Sequence, residues 1–307
     1  MYNMDRLFKK AASKGPVCIG LDTAMEYIPP LERRNASSVS EAVISFNRAI
    51  IDSTFDAAAC YKVQIAYYEE LGLNGLSAYA QTLKYIRAKG GLVIADIKRG
   101  DIADTAERYA KAHFEGEFEA DFVTLSPYMG MDSIEPWLEY AASKGKGAFV
   151  LMRTSNRGRL DFQQLEVMPE GKPAEKKFLY RAVADKLSAL AAEYKGKHGY
   201  GAFGAVVGCT ESEEAAEIRK AYPNLFFLVP GYGAQGGSAE DAALLFRRGN
   251  GGVVNASRSI LKAWKTETSN DDKSGMAEAN LTNEFAGEAA CRAVLAMRDA
   301  ILGAVKK

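Results

Sequence analysis

Eight short apolar runs recur along this chain, each separated from the next by a longer amphipathic stretch, and this alternation constrains the fold more than any other feature. The runs are rich in branched and aromatic residues and are too short for buried helices, so we predict that they are β-strands. They cover residues 17–21, 58–63, 92–96, 122–125, 148–152, 202–207, 226–229 and 252–255. Strands that alternate with helices form parallel sheets, and eight such units close a barrel. The pattern therefore predicts an α/β fold of the (β/α)₈, or TIM-barrel, type.

The stretches between the predicted strands carry the spacing of surface helices, and several open with Ser or Asp as a cap. The predicted helices cover residues 40–53, 77–89, 104–114, 133–143, 175–194, 211–222, 239–248 and 283–305. An open doubly wound sheet would alternate in the same way. Its GxGxxG fingerprint is absent after the first strand, however, where CIGLDT leads into a polar connection.

A single domain over residues 1–307 is expected, because α/β barrels routinely fill a chain of 307 residues. Two polar segments depart from the repeat. Residues 156–174 follow the fifth strand and contain Pro169 and Pro173, so we interpret them as a long insertion at the active face and a candidate lid. Residues 265–278 are also polar and charged, and they precede the last predicted helix.

The charge balance excludes several classes of partner. The chain has 39 Lys and Arg against 39 Asp and Glu, so no global charge attracts it to nucleic acid or to an anionic membrane. No apolar stretch approaches the ~18 residues of a membrane span. The N-terminal residues interleave charges with apolar residues, unlike a signal peptide. We therefore expect a cytoplasmic protein.

Few residues are available for metal or histidine chemistry. The four cysteines are far apart, without a CxxC pair, and the first three lie in apolar surroundings typical of small buried residues. The only histidines are His113 and His198. A histidine-based metal site or a Ser-His-Asp triad therefore lacks parts, and carboxylates and lysines are expected to carry any chemistry.

The run GGLVIADIKRGDIADT places charged residues at the end of the third predicted strand. Alternate residues of a strand face the same side, so Asp96 and Lys98 are predicted to point the same way, with Asp101 three residues later in the loop. Catalytic residues of barrels lie at the carboxyl ends of strands. From this run alone, a structural ion pair that caps the strand and a catalytic cluster remain open.

Charges at the ends of two earlier strands favour the catalytic interpretation. Asp22 closes the first strand, and Lys62 closes the second. The first three strands of a parallel barrel are neighbours, so these side chains are expected to converge with Asp96 and Lys98 at one rim. Alternating charges fix each other's ionisation, and such clusters mark functional sites more often than scaffolding.

The loops after the last two strands predict a phosphate site. Barrels commonly bind phosphate there, together with the N-terminus of a short helix. In LVPGYGAQGG, Gly233, Gly236 and Gly237 allow backbone amides to approach an anion, and Gln235 can donate a hydrogen bond. In NASRSI, Arg258 supplies a planar, permanently charged fork. We therefore expect a phosphorylated substrate.

A third group of polar residues follows the fifth strand. The run VLMRTSNRG places Arg153, Thr154, Ser155 and Asn156 on the same predicted rim. The three neutral side chains suit the amide edge of a heterocycle, and an interpretation as ordinary loop residues remains equally open.

Residues 17–260 resemble the orotidine 5′-phosphate decarboxylase family. The family's Asp-x-Lys-x-x-Asp signature stands here as DIKRGD, from Asp96 to Asp101. Five further positions match the family by similarity, from the first-strand aspartate to the phosphate contacts: Asp22, Lys62, Thr105, Gln235 and Arg258. The length and the insertion after the fifth strand resemble the larger bacterial subgroup, type 2. For the pyrimidine contact, Thr154, Ser155 and Asn156 are all candidates, and Ser155 is preferred.

The resemblance implies a cofactor-free and metal-free decarboxylation of orotidine 5′-monophosphate to uridine 5′-monophosphate. It implies that Lys98 stabilises and protonates a carbanion at C6 while Asp96 repels the departing carboxylate. Lys62 and Asp101 would hold Lys98 charged and aimed, and Asp22 and Lys62 would contact the ribose. It also implies a homodimer in which Asp101 and the nearby Thr105 complete the partner's site.

Three rival interpretations can be distinguished. Sister enzymes that share Asp-x-Lys-x-x-Asp use magnesium and an enediolate, but Lys62 stands where a metal ligand would be expected. A Schiff-base aldolase would need a lone lysine with a lowered pKa, whereas two aspartates flank Lys98. A non-catalytic sugar-phosphate-binding barrel would need only the Gln235 and Arg258 end of the site.

Overall fold

The computed structural model describes residues 1–168, 175–209, 212–233, 236–270 and 280–305. The eight predicted strands are all present and form a closed barrel in which every neighbouring pair is parallel and β1 pairs with β8. The barrel strands are β1 Val17–Gly20, β2 Cys60–Gln64, β3 Val93–Arg99, β4 Phe122–Leu125, β5 Gly147–Arg153, β6 Phe203–Val207, β7 Phe227–Val229 and β8 Gly252–Ala256. The prediction of a TIM barrel is confirmed.

Helices lie between the strands and around the barrel. They are α1 Asn3–Lys14, α2 Pro30–Asn35, α3 Val39–Thr54, α4 Ala66–Glu69, α5 Gly72–Ala88, α6 Ala103–Phe114, α7 Glu135–Lys144, α8 Leu179–Glu193, α9 Ser212–Ala221, α10 Ala239–Leu244, α11 Arg258–Leu261, α12 Ala263–Asn270 and α13 Asn283–Val305. Serine caps open two of them: Ser38 accepts from the Glu41 amide, and Ser238 forms a reciprocal capping box with Asp241. None of the helices within the described residues is long and apolar enough to cross a lipid bilayer.

The barrel interior is filled from its amino-terminal end, which leaves the other end for a site. Phe122, Phe149 and Phe226 pack inside the strands in one apolar cluster. The N-terminal helix α1 adds Met4 and Leu7 to the same cluster and so plugs that end of the barrel. Apolar burial on this scale is the main stabilising contribution to such a fold.

The last helix completes the outer ring by packing closely against α3. Gly287 makes this approach possible, because a β-carbon there would lie 2.7 Å from the Ala49 carbonyl oxygen and 2.4 Å from Ser53 Oγ. The helix covers Asn283–Val305, which confirms the predicted range.

Several predicted segments differ from the observed ones. The helix predicted over 77–89 starts earlier, at Gly72. The helix predicted over 239–248 ends at Leu244, because Arg247 exchanges hydrogen bonds with Asn250 in a turn and cannot continue the helical ladder. The polar segment 265–278, which departs from the predicted repeat, is helical in its first part, since α12 extends to Asn270; residues 271–278 lie outside the described residues.

The insertion after β5 contains short regular elements. A 3₁₀ turn covers Arg157–Asp161, and Glu166–Val167 pairs antiparallel with Lys177–Phe178. This pairing delays the start of α8 to Leu179, four residues later than predicted. Pro169 and Pro173 of the predicted lid lie outside the described residues.

Candidate active site

Four charged side chains form a continuous series of ion pairs at the carboxyl ends of β1, β2 and β3. The Lys62 ammonium lies 3.0 Å from Asp22 Oδ1 and 2.9 Å from Asp96 Oδ2. Lys98 Nζ lies 2.6 Å from the other carboxylate oxygen of Asp96. Asp96 therefore bridges the two lysines, and the structure brings together the residues that the strand-end pattern predicted to converge.

Burial and charge act in opposite directions on the two central members of this series. Burial by itself lowers the pKa of Lys62, but the carboxylates of Asp22 and Asp96 outweigh it and the pKa is raised. Burial by itself raises the pKa of Asp96, but the ammonium groups of Lys62 and Lys98 outweigh it and hold that pKa well below its usual range. Both groups are therefore ionised at neutral pH.

Neutral hydrogen-bond donors hold the carboxylates, and sequence reasoning missed all of them. Gln64 Nε2 donates to Asp96 Oδ2 over 3.0 Å, and the Thr124 hydroxyl donates to Asp96 Oδ1 over 2.8 Å. Ser257 Oγ donates to Asp22 Oδ2 over 2.8 Å. Two signals were present in the sequence: a threonine inside the apolar run FVTL, and a glutamine two residues after the β2 lysine, on the same face of the strand.

Two adjoining cavities share this charged centre. One, of about 250 Å³, is lined by Lys98, by the residues after β5 and by the apolar side chain of Leu228. The other, of about 360 Å³, is lined by Asp22 and by Arg258. Because Lys62, Asp96, Pro230 and Asn255 line both, the two form one cleft with the ion pairs in the middle. A fixed ammonium beside such a cleft can stabilise a developing negative charge and deliver a proton.

The rim after β5 lines the smaller cavity through Thr154, Ser155 and Asn156. The Thr154 hydroxyl donates to Asn156 Oδ1 over 2.6 Å. Gln163, from the insertion, accepts the Thr154 backbone N–H and donates to the Thr154 hydroxyl, each over 2.9 Å. The predicted pyrimidine-contacting segment is therefore tied to the insertion by a glutamine that sequence reasoning did not single out.

Arg153 does not share this rim, contrary to the sequence expectation. Its side chain is only 2% exposed, pairs with Glu214 through Nε and donates to the Gly208 carbonyl over 3.1 Å. A charged group this buried requires a carboxylate partner, and that partner comes from α9, which the local sequence could not indicate.

The structure describes part of the region that is predicted to bind phosphate. Arg258 is exposed at the start of α11 and lines the larger cavity. Gly236 adopts a positive φ of 93°, a conformation that glycine reaches without steric cost. The N–H groups of Gly233, Gly236 and Gly237 all donate to carbonyls within their own loop, so in this conformation they are committed to one another. Gln235 lies outside the described residues.

Asp101 and Thr105 do not join the charged series within this chain. The Asp101 carboxylate accepts the Ile102 backbone N–H over 2.9 Å, and Thr105 is exposed on α6. The described residues include no group of three or more His, Cys, Asp or Glu side chains placed to hold a metal ion.

Comparison with known proteins agrees with this geometry. The family model "Orotidine 5′-phosphate decarboxylase / HUMPS family" matches residues 15–269. The curated orotidine 5′-phosphate decarboxylase of Clostridium kluyveri is 56% identical over 272 residues, covering 89% of this chain and 91% of that protein. The one from Clostridium perfringens strain SM101 is 51% identical over 303 residues, covering 99% of each.

A solved structure gives the same result for the fold. The structure of Leishmania donovani OMP decarboxylase is 30% identical, has a TM-score of 0.69, and is matched over 98% of this chain and 100% of that one. With the family model matching most of its length, the chain belongs to the orotidine 5′-phosphate decarboxylase / HUMPS family.

Proposed function

We propose that this chain converts orotidine 5′-monophosphate to uridine 5′-monophosphate and CO₂, without a cofactor, as a carboxy-lyase of pyrimidine biosynthesis. The single observation that carries the proposal is the series of ion pairs Asp22, Lys62, Asp96 and Lys98 beside a cleft that ends at Arg258. Curated relatives that are about half identical to this chain, and that it matches over most of their length, support the same activity.

The cleft suggests how the nucleotide is oriented. The phosphate would lie at Arg258, with Gln235 and Gly236 as further contacts, where a planar guanidinium can bind it with two hydrogen bonds. The pyrimidine would occupy the smaller cavity, and Ser155 or Thr154 would contact its amide edge. The ribose would then lie between them, over the Asp22 and Lys62 pair, which lines the larger cavity.

The proposed chemistry needs no electron sink. When the bond from C6 to the carboxylate breaks, CO₂ departs and the electron pair remains on C6 as a vinyl-type carbanion. Lys98 Nζ stabilises this charge and transfers a proton to C6, and Asp96 disfavours the bound carboxylate by repulsion. The Lys98 side chain is 47% exposed, so the neutral amine is reprotonated from solvent. The required stabilisation lies near the upper end of enzyme catalysis, about 23 kcal/mol.

We further propose a cytoplasmic homodimer in which Asp101 and Thr105 complete the partner's site. Exposed apolar side chains beside them support this: Ile102 is 44% exposed, and Tyr128 and Met129 of the loop after β4 are 82% and 47% exposed. The two loops are adjacent, since the Ser126 N–H donates to the Arg99 carbonyl over 2.7 Å. Large apolar side chains grouped at one surface are typical of an interface between subunits.

A turnover assay tests the proposal. Purified protein should consume orotidine 5′-monophosphate, seen as a loss of absorbance, in the presence of a metal chelator. Activity that disappears on chelation and returns with magnesium would instead favour the metal-dependent sister enzymes, and a protein that binds the nucleotide without turnover would favour a non-catalytic barrel.

A further inference from the structure

We propose that Thr124 is a positioning residue for the reaction: one hydroxyl fixes both the backbone of Lys98 and the carboxylate that Lys98 contacts. This inference rests on the proposed function, in which Lys98 transfers the proton to C6.

The Thr124 side chain is 1% exposed and its hydrogen-bonding capacity is completely used. Its hydroxyl donates to Asp96 Oδ1 over 2.8 Å and accepts the backbone N–H groups of Ile97 and Lys98 over 3.0 and 2.9 Å. A hydroxyl has one proton and two lone pairs, so no capacity is left for a substrate. Thr124 lies in the wall of the smaller cavity, yet it acts on the site through its neighbours.

The backbone that Thr124 supports is irregular. Ala95 is paired with Val123 and Arg99 with Leu125, so β3 advances four residues where β4 advances two. Lys98 has a φ of 44°, in the left-handed region that side-chain-bearing residues rarely adopt. Strained backbone of this kind persists only where the surroundings hold it. Where the strand pairing is interrupted, the N–H groups of Ile97 and Lys98 donate to the Thr124 hydroxyl in place of a backbone carbonyl.

The same hydroxyl also controls where the ammonium lies. Asp96 Oδ1 accepts both the Thr124 hydroxyl and the Lys98 ammonium, the latter at 2.6 Å. Thr124 therefore anchors the main chain from which the lysine side chain starts and the oxygen at which it ends. Without the hydroxyl, Asp96 Oδ1 would lose one of its two donors, and the Lys98 backbone would be free to relax.

Two substitutions separate the hydroxyl from the shape of the side chain. Thr124→Val keeps the shape and removes the hydroxyl, whereas Thr124→Ser keeps the hydroxyl and removes a methyl group. Because misplacing a reacting group by ~1 Å can reduce the rate by about 10²-fold, we expect kcat of Thr124→Val to fall by that order, with KM and the affinity for uridine 5′-monophosphate little changed. Thr124→Ser should recover most of the loss.

Thr54→Val is the matched control. Thr54 is a completely buried threonine whose hydroxyl donates to the Ile50 carbonyl over 2.6 Å and lies 3.0 Å from the Tyr61 hydroxyl, outside the site. Its substitution should lower the melting temperature and leave kcat of the remaining folded protein unchanged. If Thr124→Val does not fold, Thr124→Cys against Thr124→Ser makes the same comparison, because a thiol is a weak hydrogen-bonding group.

The outcomes are distinct. A crystal structure of Thr124→Val should show Lys98 Nζ displaced from Asp96, and this readout does not depend on turnover. The inference is overturned if Thr124→Val retains wild-type kcat, if serine fails to rescue it, or if kcat and nucleotide affinity fall together as in a general loss of folding. Failure of the wild-type protein to turn over would count against the proposed function and not against this inference.

Discussion

Asp96 is the most constrained side chain of the site, because one carboxylate accepts contacts from two lysines, a glutamine and a threonine. The two lysine contacts measure 2.9 Å from Lys62 and 2.6 Å from Lys98. Charges in a barrel interior are costly unless they are paired and hydrogen-bonded, and here each oxygen of the carboxylate has at least two donors. The arrangement holds the Lys98 ammonium next to a cavity, as the proposed reaction requires.

At this scale, Lys98→Ala is expected to abolish turnover while the protein still binds uridine 5′-monophosphate. Turnover is lost because Lys98 is the proposed proton donor in the cavity. Binding is retained because Arg258, the proposed phosphate contact at the other end of the cleft, is unchanged. Calorimetric titration of the nucleotide, run beside the turnover assay, separates the two properties. Turnover that survives in the alanine variant would remove Lys98 from its role as proton donor.

The pKa of Asp96 predicts how stability depends on acid. Its folded-state pKa lies well below the ordinary, unfolded-state value of about 3.9. Ionised Asp96 therefore stabilises the fold above that value, and this contribution is lost as the pH falls through the folded-state pKa. We expect the unfolding free energy of the wild type to fall more steeply on acidification below about pH 4 than that of Asp96→Asn. Denaturant unfolding of both proteins across this pH range measures the two free energies. Parallel dependence on pH would contradict a lowered folded-state pKa for Asp96.

At the scale of elements, helices are joined to the barrel by buried groups that serve several carbonyls at once. Arg219 of α9 is 5% exposed and stacks 3.7 Å from the centre of the Phe227 ring. Its guanidinium donates to four backbone carbonyls at the amino-terminal ends of the last strands and in the loops before them: Leu245, Tyr222, Leu225 and Gly251. The carbonyls of Tyr222 and Gly251 also accept the backbone N–H groups of Leu225 and Phe227. For the Leu225 and Leu245 carbonyls, Arg219 supplies the donor that a buried carbonyl needs.

Arg219→Leu is expected to destabilise the fold by roughly 3 kcal/mol or more, because each buried carbonyl left without a donor costs about 1–3 kcal/mol. Lys220→Leu is the matched control, since Lys220 is the next residue of the same helix and is exposed. Chemical unfolding of both variants gives the difference. Equal stability of the two would show that the four hydrogen bonds contribute little.

At the scale of the whole molecule, the proposed homodimer would divide the site between two copies of the chain. Asp101 and Thr105 lie on the outer surface of this chain, beside the exposed Ile102 and Tyr128. A second chain that covers this surface would bury these apolar groups and place the two polar residues over the neighbouring cleft. This arrangement would couple activity to assembly.

Mixing two inactive variants tests this division. Lys98→Ala and Asp101→Asn are each expected to be inactive, whereas a mixed dimer contains one site with both residues intact. Random assembly of equal amounts should restore about a quarter of the wild-type rate, because half of the dimers are mixed and each has one good site. If no activity returns after subunit exchange has been demonstrated, Asp101 acts within its own chain.

The predicted elements were reliable where the pattern was local. All eight strands were found because apolar run length and branched residues report burial directly, and the last helix matched at both ends. The helix over 239–248 was predicted too long, because the helical spacing of its residues does not show the turn that Arg247 forms with Asn250. The plug formed by α1 was not predicted, since a helix that closes a barrel end has no sequence pattern of its own.

The sequence by itself determined the barrel and the meeting of Asp22, Lys62, Asp96 and Lys98, because parallel strands in chain order place their carboxyl ends at one rim. Only the tertiary structure decided which neutral groups hold those charges and which way the remaining charges point. Thr124 comes from the next strand and Arg153 turns away to Glu214. Such choices depend on a strand irregularity and on partners distant in the chain, and a local pattern carries no information about either.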